Sequence, residues 1–432
     1  MWPGMLSPDS QTQYAMALSG LYNDHHPPLM SLVWGCLNQI IPGSGMMFLL
    51  HLALLYGAIF YLINSVNLSV SRFIFCLFPL IPQIFFYCNT ICKDVGFAFS
   101  FLFVASYLSC LTSGKGRINW HQTIILLIIL LYGTSIKFQA QYSAFILLGW
   151  IAYIISNYNL YCKQFIKTFS ILLFSFYLVL HCINYIFIPN VQKTYGWQFV
   201  KIYDIAAISL GVNQDLFPGF AKNKNFSMQE LANKFNTQPV FNKINPNLGR
   251  FNHADLFKHH SVDNLVFVND AILRKWVNEV ERKELYLAWI TAIVKHPLAY
   301  LKHRSINMIS ILIYPSGFKY INDFLTNNSV LYWIATVGVY LIMPNLIPTI
   351  LSFIYFVFGI FALHKMGSVN WFAIPLVCFN AVGLSMVLVL FFCSMAGTSR
   401  YTYITMCMVH ASHIFAYLCF NYFKNYNVNT NE

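Results

Sequence analysis

The chain has 432 residues, of which 58% are hydrophobic and only 9% charged, far below the roughly one-quarter charged of soluble domains. That balance excludes an ordinary soluble globular protein, and the recurrent apolar runs of roughly 17–25 residues are too many to be one signal peptide. The net charge of +12 would suggest nucleic acid in a soluble protein; here Lys and Arg sit in short loops and at the ends of apolar runs, where topology and lipid phosphate account for them and no nucleic-acid partner is expected.

From the N-terminus, 10–22 and 28–41 read as short juxtamembrane helices separated by His25-His26-Pro27-Pro28 and closed by Pro42-Gly43, with Trp2 and Trp34 suited to the headgroup level. Hydropathy then places spans near 46–66, 70–88, 95–113, 123–138, 142–158 and 168–188. A polar stretch 189–302 follows, with Pro, Asn and Gly clusters around 213–252 and a periodic charged segment 264–294 that reads as a helix ended by His296-Pro297. Further spans are expected near 303–315, 330–343, 346–364, 371–395 and 402–423. The expected fold is an all-α polytopic membrane protein of about 11 transmembrane helices with juxtamembrane helices and one outer-face soluble domain. Its parts are an outer-face catalytic loop 1–45, a six-helix membrane region 46–188, the outer domain 189–302, membrane helices 303–423 and a cytoplasmic tail 424–432.

Positive charge concentrates in loops 114–122 (Lys115, Arg117) and 159–167 (Lys163, Lys167) and at Lys424, which places them in the cytoplasm. Alternation then puts 1–45, 89–94, 139–141, 189–302 and 396–401 outside. An outer N-terminus with no upstream span leads to the expectation that Met1 is an internal or misassigned start of a twelve-span protein. The eleven cysteines are scattered, mostly in apolar runs, with no CxxC pair and no Cys/His cluster of metal-ligand spacing. The nearest pair, Cys88 and Cys92, reads as small core hydrophobes rather than a disulfide. No repeat, Walker loop or GxGxxG fingerprint occurs.

Carboxylates are scarce. Of fourteen, nine fall between Asp204 and Glu284, and three of the other five, Asp9, Asp24 and Asp94, lie just outside expected spans on the same outer side. Asp9 in Pro8-Asp9-Ser10 suits the N-cap of helix 10–22, which would set Asp24 about 20 Å away along the axis; it is a cap or a functional acid. The run Asp24-His25-His26-Pro27-Pro28 brings a charge and two imidazoles to the interface, a desolvation cost unless they meet polar ligands; the plainer reading is a solvated turn before a helix. Lys93-Asp94 at a helix start is either a topology marker with a dipole-favoured acid or a cation for a phosphate. Lys137 with Gln139 and Gln141, Arg304, and Arg400-Tyr401 are each explained by snorkelling, whereas several cations on one face suit a phosphate or diphosphate clamp.

Taken together, Asp9, the Asp24-to-Leu29 element, Lys93-Asp94, the His296-Pro-x-x-Tyr-Leu-x-x-Arg304 approach and the late Arg400-Tyr401 resemble the multi-spanning glycosyltransferases of the C-type fold (GT-C), the superfamily of protein O-mannosyltransferases and the lipid A aminoarabinose transferase. The resemblance implies transfer of a sugar from a polyprenyl-phosphate donor to a glycan, lipid or protein acceptor of the cell envelope, in a bacterial inner membrane. It gives Asp9 the role of base toward the acceptor hydroxyl or, as in some members, of ligand to a divalent cation such as Mg or Mn. Asp24 with His25 or His26 would position Asp9 or the acceptor. Lys93, Arg304 and Arg400 would neutralise the leaving phosphate, with Asp94, Lys137, Gln141 and Tyr401 completing the substrate site. The chain departs from the family in lacking a span ahead of the acidic loop. Two other classes compete. An O-antigen polymerase or ligase would build its site mainly on Arg and His of the large loop. A lipid-linked sugar transporter would place ionisable groups at mid-depth, where these spans hold no Asp or Glu; His181, Asn184, Asn380 and Pro375 read as packing and kinks.

Overall fold

The computed structural model describes every residue except 1–2, 67–68, 115, 185–187, 189–190, 237–261, 275–277, 314–344, 367–370, 396–398 and 431–432. It is mostly helical and divides into two compact units, one of Met1–Gln192, Lys319–Val387 and Thr402–Glu432 and the other of Lys193–Phe318 and Leu388–Tyr401. Among the described residues six helices are long and apolar enough to cross a bilayer: Gly45–Asn64, Lys93–Ser113, Lys163–Cys182, Leu346–Lys365, Ala373–Cys393 and Arg400–Lys424. They give the chain the character of a membrane protein.

Several expected spans take other forms. Trp120–Ser135 and Ala140–Ile155 stand for 123–138 and 142–158 but have 16 residues each, about 24 Å of helix against about 30 Å of hydrocarbon. The expected span 70–88 is broken into Ser69–Cys76, a single 3-10 turn Phe78–Leu80 and Pro82–Cys88, because Pro79 and Pro82 each remove a backbone donor and clash with the preceding turn. The segment expected near 303–315 belongs to Pro297–Ile313, which starts earlier because Pro297 fits a first helical turn. The span expected near 330–343 lies outside the described residues.

In the first unit Lys93–Ser113 is the central helix, buried on all sides, with Phe97, Phe99 and Phe101 fully enclosed. Between membrane helices apolar burial alone gives no driving force, so close approach and hydrogen bonds carry the packing. A Cβ at Gly133 would lie 2.8 Å from Ser100 Cβ, and one at Gly57 2.5 Å from the Phe103 ring. Polar contacts add to this: Trp150 Nε1 donates to Thr112 Oγ1 at 3.0 Å, Ser143 and Ser385 hydroxyls meet at 2.8 Å, and Asn380 Nδ2 donates to Ser412 Oγ at 3.1 Å. Cys88 and Cys92 are both buried and neither is in a disulfide.

The all-α expectation missed two short parallel ladders in this unit. Met5–Leu6 pairs with Thr90–Ile91, and Tyr22–Asn23 pairs with Val191–Gln192. Gly4, at φ +92° with the Ile91 side chain against its α-carbon, lets the chain turn into the first of them. After each pairing the chain enters a short helix or turn. Pro8–Ser19 lies against Leu29–Ile40 so closely that a Cβ at Gly35 would sit 3.1 Å from the Ala17 carbonyl oxygen. Trp34, expected at the headgroups, is instead fully buried: its ring lies 5.0 Å from that of Tyr14 and its Nε1 donates to the Gly43 carbonyl at 3.2 Å. Trp2 lies outside the described residues.

The second unit holds Gln198–Val212, Met228–Asn236, Asp263–Val266, Glu279–Lys295 and Pro297–Ile313, packed around Phe199, Tyr203, Leu231, Leu265 and Leu285. The helix expected over 264–294 is two helices. The chain leaves the first after Val266, forms an antiparallel bridge between Leu273 and Lys222, and re-enters helix at Glu279 through a reciprocal Asn278–Glu281 capping box.

Two predictions follow from this packing. Gly133→Ala forces Ser100 and its helix outward, and a cost of about 1–3 kcal/mol is expected, read as a lower Tm of the detergent-solubilised chain. The Glu281 carboxyl is held below its ordinary value chiefly by the Asn278 backbone N–H, which outweighs the opposing effect of burial, with Arg274 adding to the lowering. A carboxyl lowered in the folded state stabilises above the unfolded pKa of about 4.3 and loses that contribution as pH falls through the folded value. Amide protection at the start of Glu279–Lys295, taken relative to the intrinsic exchange rate at each pH, should therefore fall on acidification in the wild type and show a flatter pH response in Glu281→Gln.

Candidate functional site

In the first unit, Ser7 rather than Asp9 caps the first helix. Its hydroxyl accepts from Ser10 N at 3.2 Å, Pro8 takes the first helical position and Gly20, at φ +67°, ends the helix. The helix therefore spans Pro8–Ser19 instead of 10–22. Asp9 stands half-buried in its first turn, where the helix dipole favours a negative charge. The carboxylate is not consumed as a cap.

The first ladder fixes where this turn lies. Met5 N donates to the Asn89 carbonyl at 2.8 Å, Leu6 pairs with Ile91, and the buried Ser10 hydroxyl donates to the Ile91 carbonyl. Asp9 thus follows the end of one strand, Leu6, by three residues, while Lys93 follows the end of the other, Ile91, by two, each in the first turn of the helix that comes next. The second ladder fixes the acidic turn: Asp24 N donates to the Gln192 carbonyl at 3.2 Å, and His25 N donates to Asn23 Oδ1 at 3.1 Å. The His25 and His26 rings lie 4.7 Å apart, and Lys93 Nζ donates to His26 Nδ1 at 2.9 Å. Since an ammonium can only donate, His26 Nδ1 carries the lone pair and its ring proton sits on Nε2. The two ladders and this bond bring Asp9, the Asp24-His25-His26 turn and Lys93 around the start of Lys93–Ser113.

Asp94 and Lys137 differ from the expectation. Both are buried, at 2% and 4% exposure, and form an ion pair with each other; the cation expected to bind substrate is neutralised inside the protein. Gln141 is half-buried in Ala140–Ile155, its backbone carbonyl accepting from the Tyr177 hydroxyl. Gln13, to which the sequence reading assigned no role, is wholly buried, and neither its Oε1 nor its Nε2 has a hydrogen-bond partner among the described residues. Only its spacing of four residues from Asp9, which puts both on one helical face, signals it in the sequence.

Arg304, Arg400 and Tyr401 belong to the second unit. Arg304 has no exposed surface: Nη2 donates to Asp204 Oδ2 and Nη1 to the Ser394 carbonyl, each at 2.7 Å. Asp204 Oδ2 also accepts from Trp289 Nε1 at 2.8 Å, and His303 Nε2 lies 3.4 Å from Asp204 Oδ1. Tyr203, whose phenol is pushed well up by burial, donates to Asn307 Oδ1 at 3.1 Å. The expected phosphate clamp at Arg304 is thus the centre of an internal network, its charge met by Asp204, an acid the sequence reading did not single out. Arg400 lies in the 3-10 turn Ser399–Thr402 with its guanidinium 5.6 Å from the Tyr401 ring centre.

Among the described residues no group of three or more His, Cys, Asp or Glu is gathered to hold a metal ion. Compared with protein-family models, curated proteins and solved structures, the chain matches none.

The Asp204–Arg304 geometry makes a prediction that separates structure from substrate binding. Asp204→Ala leaves a buried guanidinium uncompensated and should cost about 3–5 kcal/mol, whereas Asp204→Leu with Arg304→Met should cost far less. Thermal unfolding of the purified single and double variants measures the difference. Equal losses in both would mean that the pair does not carry this stability.

Proposed function

We propose that the chain is an integral-membrane glycosyltransferase that moves a sugar from a polyprenyl-phosphate donor to an envelope acceptor at the outer face. In this reading it is a multi-pass protein of a bacterial inner membrane with about 11 spans. The observation that carries it is Lys93. The cations Lys137 and Arg304 are buried against carboxylates, so their charges cancel at a distance. Lys93, half-buried, is bonded to the lone pair of a neutral imidazole, and that bond leaves its charge uncancelled. A cation in this state, on a helix whose start the ladder ties to the segment that carries Asp9, supplies with that carboxylate the two charges that an inverting transfer needs.

In the reaction Asp9 takes the proton of the acceptor hydroxyl as its oxygen bonds to the anomeric carbon. The bond from that carbon to the phosphate oxygen breaks, and the lipid phosphate leaves with the electron pair beside Lys93. Neither a covalent nucleophile nor a redox step is required. The Asp24-His25-His26 turn orients Lys93 through His26, and Asp94 with Lys137 anchors the helix that carries Lys93.

The test is transfer of radiolabelled sugar from polyprenyl-phosphate sugar in membranes holding matched amounts of protein. Asp9→Asn removes the base but not the helix cap, which is Ser7, so the fold is expected to survive. Activity should fall about 10²–10⁴-fold, and Lys93→Met should also lower it. Unchanged transfer in Asp9→Asn would overturn the assigned base.

A further inference from the structure

The buried face of Pro8–Ser19 contains Ser10, Gln13 and Met16. Ser10 is bonded to the Ile91 carbonyl, and Met16 packs with Tyr22 and Ile188. Gln13 lies between them with no exposed surface and with both ends of its amide lacking a partner among the described residues. Such a group is costly: in folded proteins buried polar atoms nearly always find partners, and an exception calls for an explanation. Packing alone would be better served by Met or Leu, which have a similar reach and no amide to desolvate.

We infer that Gln13 is a binding residue for the hydroxyls of the donor sugar, an inference that rests on the transferase reading above. The amide offers one acceptor oxygen and two donor hydrogens. A phosphate oxygen only accepts and an ammonium only donates, so either leaves half of the amide unmet. A sugar hydroxyl both donates and accepts, and two neighbouring hydroxyls satisfy both ends. Position selects the donor over the acceptor. Gln13 is one helical turn from Asp9 on the same face but fully enclosed, whereas Asp9 is half-buried. The acceptor comes from solvent to Asp9, while the ring already held between Asp9 and the phosphate at Lys93 is the one an enclosed amide can reach.

The experiment is thermal unfolding of the full chain in lipid nanodiscs with two probes, a short polyprenyl phosphate and the same lipid bearing glucose, mannose or galactose on its phosphate. Without probe, Gln13→Met is expected to melt about 1–3 °C above wild type, since it removes an unmet amide. The bare lipid should raise the Tm of both proteins equally. One hexose form should raise the wild type further, and Gln13→Met should lose that increment. A Gln13→Met chain that melts lower or does not fold marks the amide as structural and overturns the inference. An increment absent from wild type, or retained in the variant, while the bare lipid still shifts both, overturns the Gln13 assignment alone. No shift with the bare lipid overturns the lipid-phosphate reading and the inference with it. The wild-type increment is independent of how any variant folds.

Discussion

The candidate site depends on the backbone pairing of Met5–Leu6 with Thr90–Ile91. Without it the acidic N-terminal turn would be an exposed tail, and Asp9 would have no fixed relation to Lys93. The pairing comes with the Met5 to Asn89 bond and the Ser10 hydroxyl on the Ile91 carbonyl, each worth roughly 0.5–1.5 kcal/mol net. These few bonds join the start of one helix to the start of another, so that both carry their first-turn groups into the same region. A carboxylate mounted on a helix held this way has less freedom than one on a loop, which is what positioning a reacting group requires. The second ladder, Tyr22–Asn23 on Val191–Gln192, does the same for the histidine turn.

Charge in this protein falls into two populations with different physics. Asp94–Lys137 and Asp204–Arg304 are enclosed pairs whose members exclude water and answer one another. Such pairs contribute little or nothing net relative to apolar packing, but they tolerate no partial removal. Asp9, Asp24 and Lys93 are only half-buried and stand at or next to helix starts, where backbone dipoles also act. With fourteen acids in 432 residues, spending Asp94 and Asp204 on interior cations leaves few for chemistry, and two of the remaining ones, Asp9 and Asp24, lie in or beside the first-turn cluster.

Much of the architecture was legible because it depends on composition and on local signals. Six of the apolar runs are long helices among the described residues, Pro42-Gly43 follows the end of Leu29–Ile40, and His296-Pro297 separates two helices as expected. The misreadings arose where local signals compete or where distant residues decide. Pro8-Asp9-Ser10 suited Asp9 as the cap, but Pro at the first helical position with Ser7 before it prevailed. Pro79 and Pro82 broke a run that hydropathy alone reads as one span. Two-residue ladders have no periodicity to detect, and their partners lie 85 and 169 residues apart. Arg304 illustrates the same limit: an arginine approaching the membrane is equally consistent with a phosphate clamp and a structural ion pair until Asp204, 100 residues earlier, is placed against it.

Lys93 and Gln13 carry opposite polar imbalances. Elsewhere in the unit some buried polar groups meet partners, Trp150 with Thr112, Asn380 with Ser412 and Lys137 with Asp94, and single hydroxyls such as those of Ser31, Ser106 and Ser109 have none among the described residues, whereas Gln13 lacks a partner at both ends of its side chain. At the ladder-bound helix a cation is left with a neutral partner, and one turn from Asp9 an amide is left with none among the described residues. Each local choice costs stability that an apolar or oppositely charged neighbour would have restored, and in well-folded sequences such inconsistencies concentrate where a ligand completes the contacts. The two lie on elements joined by the same backbone ladder, one suited to an anion and the other to a group that both donates and accepts. A sugar phosphate carries those two features within a single molecule, joined at the anomeric carbon.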